Sequence, residues 1–118
     1  MTETTARAVR IPMRTGNGLN DRLHHFARAR KVKEARGNAW MVVMQRARNW
    51  TLPCTITLTR EGPGTLDDDN LPGALKAIRD GVADAFGTDD RTPKIQWKYN
   101  QVRTREWGVL VEWEPRGE

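Results

Sequence analysis

Apolar residues recur along this chain in two rhythms, period two and period three to four, and the alternation of those rhythms lays out six elements. Val9, Arg10, Ile11, Pro12 and Met13 alternate and predict a short strand, closed by the turn-forming Thr15-Gly16-Asn17-Gly18. From about Arg28 to Arg48 the spacing becomes helical. Trp40, Val43, Met44 and Ala47 fall at i, i+3, i+4 and i+7, and Val32, Ala35 and Ala39 extend the stripe toward the N-terminus. Gly37 lies inside this helix, where it costs about 1 kcal/mol relative to alanine and marks a weak point.

Cys54, Ile56 and Leu58 then alternate with Thr55, Thr57 and Thr59, a strand stopped by Glu61-Gly62-Pro63-Gly64. Asn70 is placed to cap a second helix whose first turn accommodates Pro72. Leu71, Ala74, Leu75, Ile78, Val82, Ala85 and Phe86 form its apolar face, and Gly87 ends it. Ile95, Trp97 and Tyr99 alternate in one further strand, and Trp107, Val109, Val111 and Trp113 in another. The order β-α-β-α-β-β predicts an α+β fold, with helices on one face of a mostly antiparallel or mixed sheet.

With 118 residues the chain fits one domain, and residues 1–7 read as a loose tail. No apolar run approaches the ~20 residues that span a bilayer. The opening MTETTARAVR lacks a signal peptide's apolar centre, so a cytoplasmic location and no membrane partner are expected. The single cysteine, Cys54, reads as a buried strand residue rather than a catalytic thiol.

Charge is distributed unevenly. Residues 1–60 hold 12 Lys/Arg against 3 Asp/Glu, a balance of +9, and residues 61–118 hold 8 against 12, a balance of −4. The basic half implies a polyanionic partner. Arg22, Arg28, Arg30, Lys31, Lys33 and Arg36, with Arg10 and Arg14 beside them, are the expected phosphate contacts. Any one of them taken singly reads equally as part of a solvated helix face. His24 and His25 are adjacent and cannot share a helix face, so they read as surface or DNA-contacting residues rather than metal ligands. The five tryptophans lie mostly at apolar strand or helix positions and read as core residues, with Trp50 the one candidate for stacking on an exposed base.

The acidic half gathers its carboxylates at Asp67-Asp68-Asp69 and again at Asp89-Asp90. In an extended segment Asp67 and Asp69 point to one side and offer oxygen ligands to a single hard divalent ion. Taken alone, Asp67-Asp68-Asp69-Asn70 reads better as a solvated, helix-capping turn. Lys76 and Asp80, spaced i, i+4, read alone as an exposed helix pair, and Gly87-Thr88-Asp89-Asp90 as an ordinary turn. Their joint spacing is what changes the balance.

The run Asp67-x-Asp69-Asn70, followed by Lys76, Asp80 and Asp89-Asp90, resembles the D-x-D-N…K…D…DD signature of the RusA family of Holliday junction resolvases. The segment LNDRLHHFARARKVKEAR is similar to the Asn/Arg-rich opening of phage and actinobacterial relatives, so the resemblance extends over about Ile11 to Trp113. In the best-known members the lysine stands three residues after the asparagine, where this chain has Gly73. Lys76 lies close to one helical turn further on and still faces the same side.

The resemblance implies a homodimeric, Mg²⁺-dependent endodeoxyribonuclease, with Mn²⁺ as a substitute, that resolves four-way DNA junctions by paired nicks in recombination and repair. By motif position Asp67, Asp69 and Asp90 are its metal-binding carboxylates and Asp89 a supporting acid. Lys76 is its catalytic or phosphate-stabilising cation, and Asp67, Asp69, Asp90 and Lys76 together are the implied catalytic set. Three alternatives stay open: an inactive branched-DNA-binding module of the same fold, a nuclease acting on flaps or forks, and a structural or regulatory phage protein whose aspartates bind a stabilising cation.

One geometric difficulty accompanies this reading. A continuous helix over residues 71–86 separates its ends by about 24 Å, too far for Asp69 and Asp90 of one chain to share an ion. Either the chain folds back after Gly87, or the helix is broken, or a second subunit supplies a ligand across a two-fold interface. The last of these is the favoured expectation.

Overall fold

The computed structural model describes residues 7–15 and 25–117, apart from the side chain of His25. Arg22, His24, most of the expected tail and the turn Gly16-Asn17-Gly18 lie outside the described residues. Seven elements follow in order: β1 (Ala8–Ile11), α1 (His25–Arg46), β2 (Cys54–Gly62), α2 (Leu71–Ala74), α3 (Lys76–Ala85), β3 (Ile95–Arg103) and β4 (Gly108–Pro115). They form an α+β fold built on a four-stranded mixed sheet of order β1-β4-β2-β3.

The sheet's parity follows the period-two pattern. β2 pairs parallel with β3, setting Ile56 opposite Trp97 and Leu58 opposite Tyr99. It pairs antiparallel with β4, setting Ile56 opposite Trp113 and Leu58 opposite Val111. Val9 and Ile11 of β1 then meet Val111 and Val109. Every one of these apolar residues therefore shares one face, and burying that face against the helices forms the core. The other face carries Thr57, Gln96, Lys98, Asn100 and Glu112. β3 and β4, though consecutive, are not neighbours, because β2 runs between them. The parallel β2–β3 pair requires a long crossover, and α2 and α3 are that crossover.

Helix α1 differs from its expected stripe. Ala39, Val43 and Ala47 are buried, whereas Val32, Trp40 and Met44 are roughly half exposed. The cause lies across the interface in α3. Gly81 packs onto the Arg36 backbone carbonyl and the Ala39 methyl so closely that an added Cβ has no room. Two helices in such close approach bury a narrow stripe of small residues and leave bulky neighbours outside. Gly37 does not interrupt α1.

The expected helix over 71–86 is divided at Leu75, whose φ of −103° and ψ of 2° leave the helical region. Its apolar period continues through the break, since Leu71, Leu75, Ile78 and Val82 are all buried, and so the division leaves no mark in the pattern. The expected Asn70 cap is also corrected. Asn70 is itself αR and makes no side-chain capping bond. The turn is closed instead by the Asn70 and Leu71 N–H groups donating to the Asp67 carbonyl, at 2.9 and 3.1 Å.

Gly87 does end α3. Its φ is +72°, Thr88 N–H donates to Ala83 O and Gly87 N–H to Asp84 O, the paired bonds of a glycine-terminated Schellman turn. No helix among the described residues is long and apolar enough to cross a membrane.

Candidate functional site

The acidic run occupies the loop from β2 to α2, with Asp67, Asp68 and Asp69 all exposed. Its approach is held by two side chains from the sheet. Gln101 of β3 treats Leu66 as a neighbouring strand would: Leu66 N–H donates to Oε1 at 2.9 Å, and Nε2 donates to Leu66 O at 2.7 Å. Arg60, only 2% exposed, donates to Gly64 O and to Thr15 Oγ1, both at 2.9 Å. Its guanidinium also faces the Trp107 ring at 5.3 Å. Burial pulls the Arg60 pKa below its ordinary value, a cost offset by these hydrogen bonds and the ring.

The second acidic pair does not stay at the far end of α3. After Gly87 the chain folds back along the helix, and Asp90 Oδ2 lies 2.7 Å from Lys76 Nζ at the first turn of α3. Lys76 also bonds Asp80 Oδ1 at 2.9 Å. The fold-back and the break at Leu75 both occur, so helix length alone no longer requires a second subunit. α2 contributes a single turn, about 6 Å of rise, between the acidic run and Lys76.

Asp90 has a further partner in Arg79. Arg79 Nε stands 2.9 Å from Asp90 Oδ2 as an ion pair, with its N–H not aligned into a hydrogen bond. The two terminal nitrogens donate to Asp90 O at 3.0 Å and to Tyr99 Oη at 2.7 Å. The guanidinium lies over Trp97 at 4.9 Å, and Trp97 Nε1 donates to Asp90 O at 2.8 Å. Arg79 was not among the expected site residues. It stands three positions after Lys76 and so on the same side of the helix, which is the signal that points to it.

Lys76, Asp80, Asp89, Asp90, Arg36 and Arg91 line one concave groove of about 480 Å³, closed on its α1 side by Arg36. Arg36 holds Asp84 through two bonds of 2.6 and 2.9 Å. Asp89 accepts the Arg91 backbone N–H at 2.8 Å. The hydrogen bond from Lys76, and then its charge, holds the Asp90 carboxyl below the usual carboxylate range, against the opposing effect of desolvation. Bonds to Asp90 and Asp80 hold the Lys76 ammonium above the usual lysine value. Asp84 is lowered by its bonds from Arg36.

The structure thus brings Lys76, Asp80, Asp89 and Asp90 together, while Asp67 and Asp69 do not line the groove. Among the described residues no three Asp, Glu, His or Cys side chains converge tightly enough to hold a metal ion. Carboxylate oxygens are the donors a hard divalent cation takes, but Lys76 bonds one oxygen of Asp80 and one of Asp90, and Arg79 pairs with the same Asp90 oxygen.

Of the expected DNA contacts, Arg28, Arg30, Lys31, Lys33 and Arg36 are exposed on α1. Arg10 pairs with Glu61 at 2.7 Å and donates to Trp107 O at 3.1 Å, and Arg14 lies over the Trp107 ring at 5.1 Å. Trp50 does not present a face to a base: it is 6% exposed and stacked on Trp113 with ring centroids 6.0 Å apart. Cys54 is fully buried, and burial pushes its thiol up to about 11, as the reading of an inert strand residue expects.

Comparison with known proteins adds little to this geometry. No family model matches the chain, and no solved structure matches it. A protein of Xylella fastidiosa (strain Temecula1 / ATCC 700964) described as an uncharacterized protein is 40% identical, over 61% of this chain and 52% of its own length. The chain spans about half the length of that relative.

Proposed function

We propose that this protein is a Mg²⁺-dependent endodeoxyribonuclease of the RusA type, acting on four-way DNA junctions. The observation that carries the reading is the return of Asp90 to Lys76 at 2.7 Å, across fourteen residues of sequence. It brings Asp90 back beside Lys76 and Asp80 at the N-terminal end of α3, the end that follows the acidic run in sequence.

Hydrolysis of a phosphodiester needs positive charge on the phosphate and an activated water, because the anionic diester repels hydroxide. A bound Mg²⁺ supplies both, and Asp67, Asp69 and Asp90, supported by Asp89, are the carboxylates of this chain that would hold it. Lys76 stabilises charge developing on the phosphate. Arg79 fixes Asp90 from behind, through both its carboxylate and its main-chain carbonyl. The exposed basic residues in the N-terminal half of α1 attract the phosphate backbone toward the groove, which Arg36 borders.

The homodimer that this reading includes has a suitable face in the same helix. Residues 37–45 of α1 carry no charge, and Trp40, Met41 and Met44 are each nearly half exposed there. Gly37, with open space where a Cβ would stand, permits close approach of a second copy.

The test is incubation of a labelled four-way junction and a linear duplex with the protein, in Mg²⁺ and in EDTA. Paired, Mg²⁺-dependent nicks in the junction alone are expected. Tight, salt-sensitive junction binding with no cleavage in any divalent cation would instead establish an inactive binding module. Preferential cutting of flaps or forks would reassign the substrate.

A further inference from the structure

We propose that Arg14 and Arg103 are a phosphate-binding pair gathered at Gly62, the last residue of β2, and that they seat the DNA backbone beside the loop that carries the acidic run. The inference rests on the nuclease reading for its ligand, DNA, and adds to it a contact surface separate from α1.

Gly62 sets the geometry. Its lack of a side chain lets the Trp107 ring pack against the β2 backbone, since an added Cβ would stand 2.8 Å from Cε3 of that ring. Two further contacts grip Trp107: the buried Arg60 faces its ring at 5.3 Å, and Arg10 donates to its carbonyl at 3.1 Å. Arg14 rests over the same ring at 5.1 Å. A guanidinium held by its face keeps its in-plane N–H fork for an anion, and that fork matches a phosphate. On β3 the parallel register sets Arg103 opposite Gly62, and Thr104 N–H donates to Gly62 O at 2.8 Å, so the ends of the two strands are tied together. Period two puts Arg103 on the same side as Gln101, which holds Leu66 ahead of the acidic run. Arg103 therefore stands only about 7 Å along β3 from the support of that loop.

Pairing separates these two arginines from others near them. Arg10, Arg36, Arg79 and Arg91 are held by Glu61, Asp84, Asp90 and Asp89 respectively. Arg14 and Arg103 are exposed and, among the described residues, make no ion pair. A phosphate engages them without displacing a carboxylate, and gains charge-assisted hydrogen bonds. The acidic run supplies the need for such contacts. Asp67, Asp68 and Asp69 are all exposed, and their charges repel a DNA strand that comes near. Cations at the root of the loop offset that repulsion where the strand approaches. As backbone contacts they position the DNA without reading its sequence.

Binding of a labelled four-way junction in EDTA, over a series of salt concentrations, tests the pair without relying on cleavage. Wild type, Arg14→Ala, Arg103→Ala and Lys98→Ala are compared. Both arginines are exposed, so all four thermal melts should agree. Lys98 is an exposed cation on the other face of the sheet, and its removal measures the general effect of one fewer positive charge. Each arginine variant should bind on the order of tenfold more weakly at low salt. The slope of log K against log salt should shrink by about 0.9 in each, the share of one phosphate contact, and stay unchanged in Lys98→Ala. A wild-type slope in either arginine variant overturns the pair, and so does an equal loss in Lys98→Ala. If wild type does not bind the junction, the pair and the nuclease reading fall together. If wild type binds it and nicks it in Mg²⁺ while the arginine variants bind equally well, the pair alone falls.

Discussion

Gln101 closes two hydrogen bonds on the backbone of Leu66, the residue immediately before the acidic run. The contact makes β3 the support of a loop that has no strand partner of its own. Gln101→Ala is expected to lower Mg²⁺-dependent cleavage by on the order of 10- to 100-fold, the effect typical of a residue that orients metal-binding groups. Because the loop is exposed, the melting temperature should change little. Rate and thermal melt measured on one preparation separate the outcomes, and a full-rate variant would show that the acidic run needs no such support.

Gly81→Ala probes the helix contact that sets the shape of α1. The new methyl meets the Arg36 carbonyl and the Ala39 side chain, and a backbone atom cannot rotate away. Overpacking of this kind costs about 1–3 kcal/mol. Urea denaturation should show the loss as a lower midpoint at unchanged slope.

The apolar face of α1 gives a prediction about assembly. Trp40→Glu and Met44→Glu each place a charge where residues of two copies meet in the proposed dimer. Sedimentation should show monomers that retain the wild-type circular dichroism. Dimers that persist in both variants would move the interface elsewhere.

Much of this layout is legible from spacing. The alternation of Cys54, Ile56 and Leu58 identifies the central strand, and Gly87 marks the end of α3 because a left-handed residue is required there. What is not legible depends on partners distant in sequence. Trp40 and Met44 match the helical period as well as Ala39 does, and only the closeness of Gly81 decides which are buried. The bend at Leu75 is hidden by an unbroken apolar stripe. Gln101 lies 35 residues from the backbone it supports, and nothing local marks it. The spacing of the two acidic clusters and Lys76 is readable in sequence, but the Lys76–Asp90 contact depends on a chain reversal that spacing does not convey.

Acid should destabilise the fold in a defined window. Asp84 and Asp90 are held below their ordinary values by Arg36 and Lys76. Their contribution is complete above the unfolded carboxylate pKa of about 3.9, and is lost as pH falls through the depressed folded values. Lys76 acts in the opposite direction. Its raised value contributes fully below the unfolded lysine pKa of about 10.4, and the contribution is lost as pH rises through the folded value. Urea midpoints should be level near neutrality and fall below about pH 4, less steeply for Arg36→Ala, with salt weakening these exposed pairs. A midpoint unchanged down to pH 2 would contradict the pairing.

The most direct measurement of the central claim is cleavage of a labelled four-way junction by wild type, Asp69→Asn and Asp90→Asn, each shown to bind the junction. If the acidic run and Asp90 serve one hydrolytic centre, wild type nicks the junction in Mg²⁺, and each variant binds it but loses cleavage on the order of a thousandfold, as when one central electrostatic group is removed. Cleavage at the wild-type rate by either variant would contradict the account and place the chemistry away from these carboxylates.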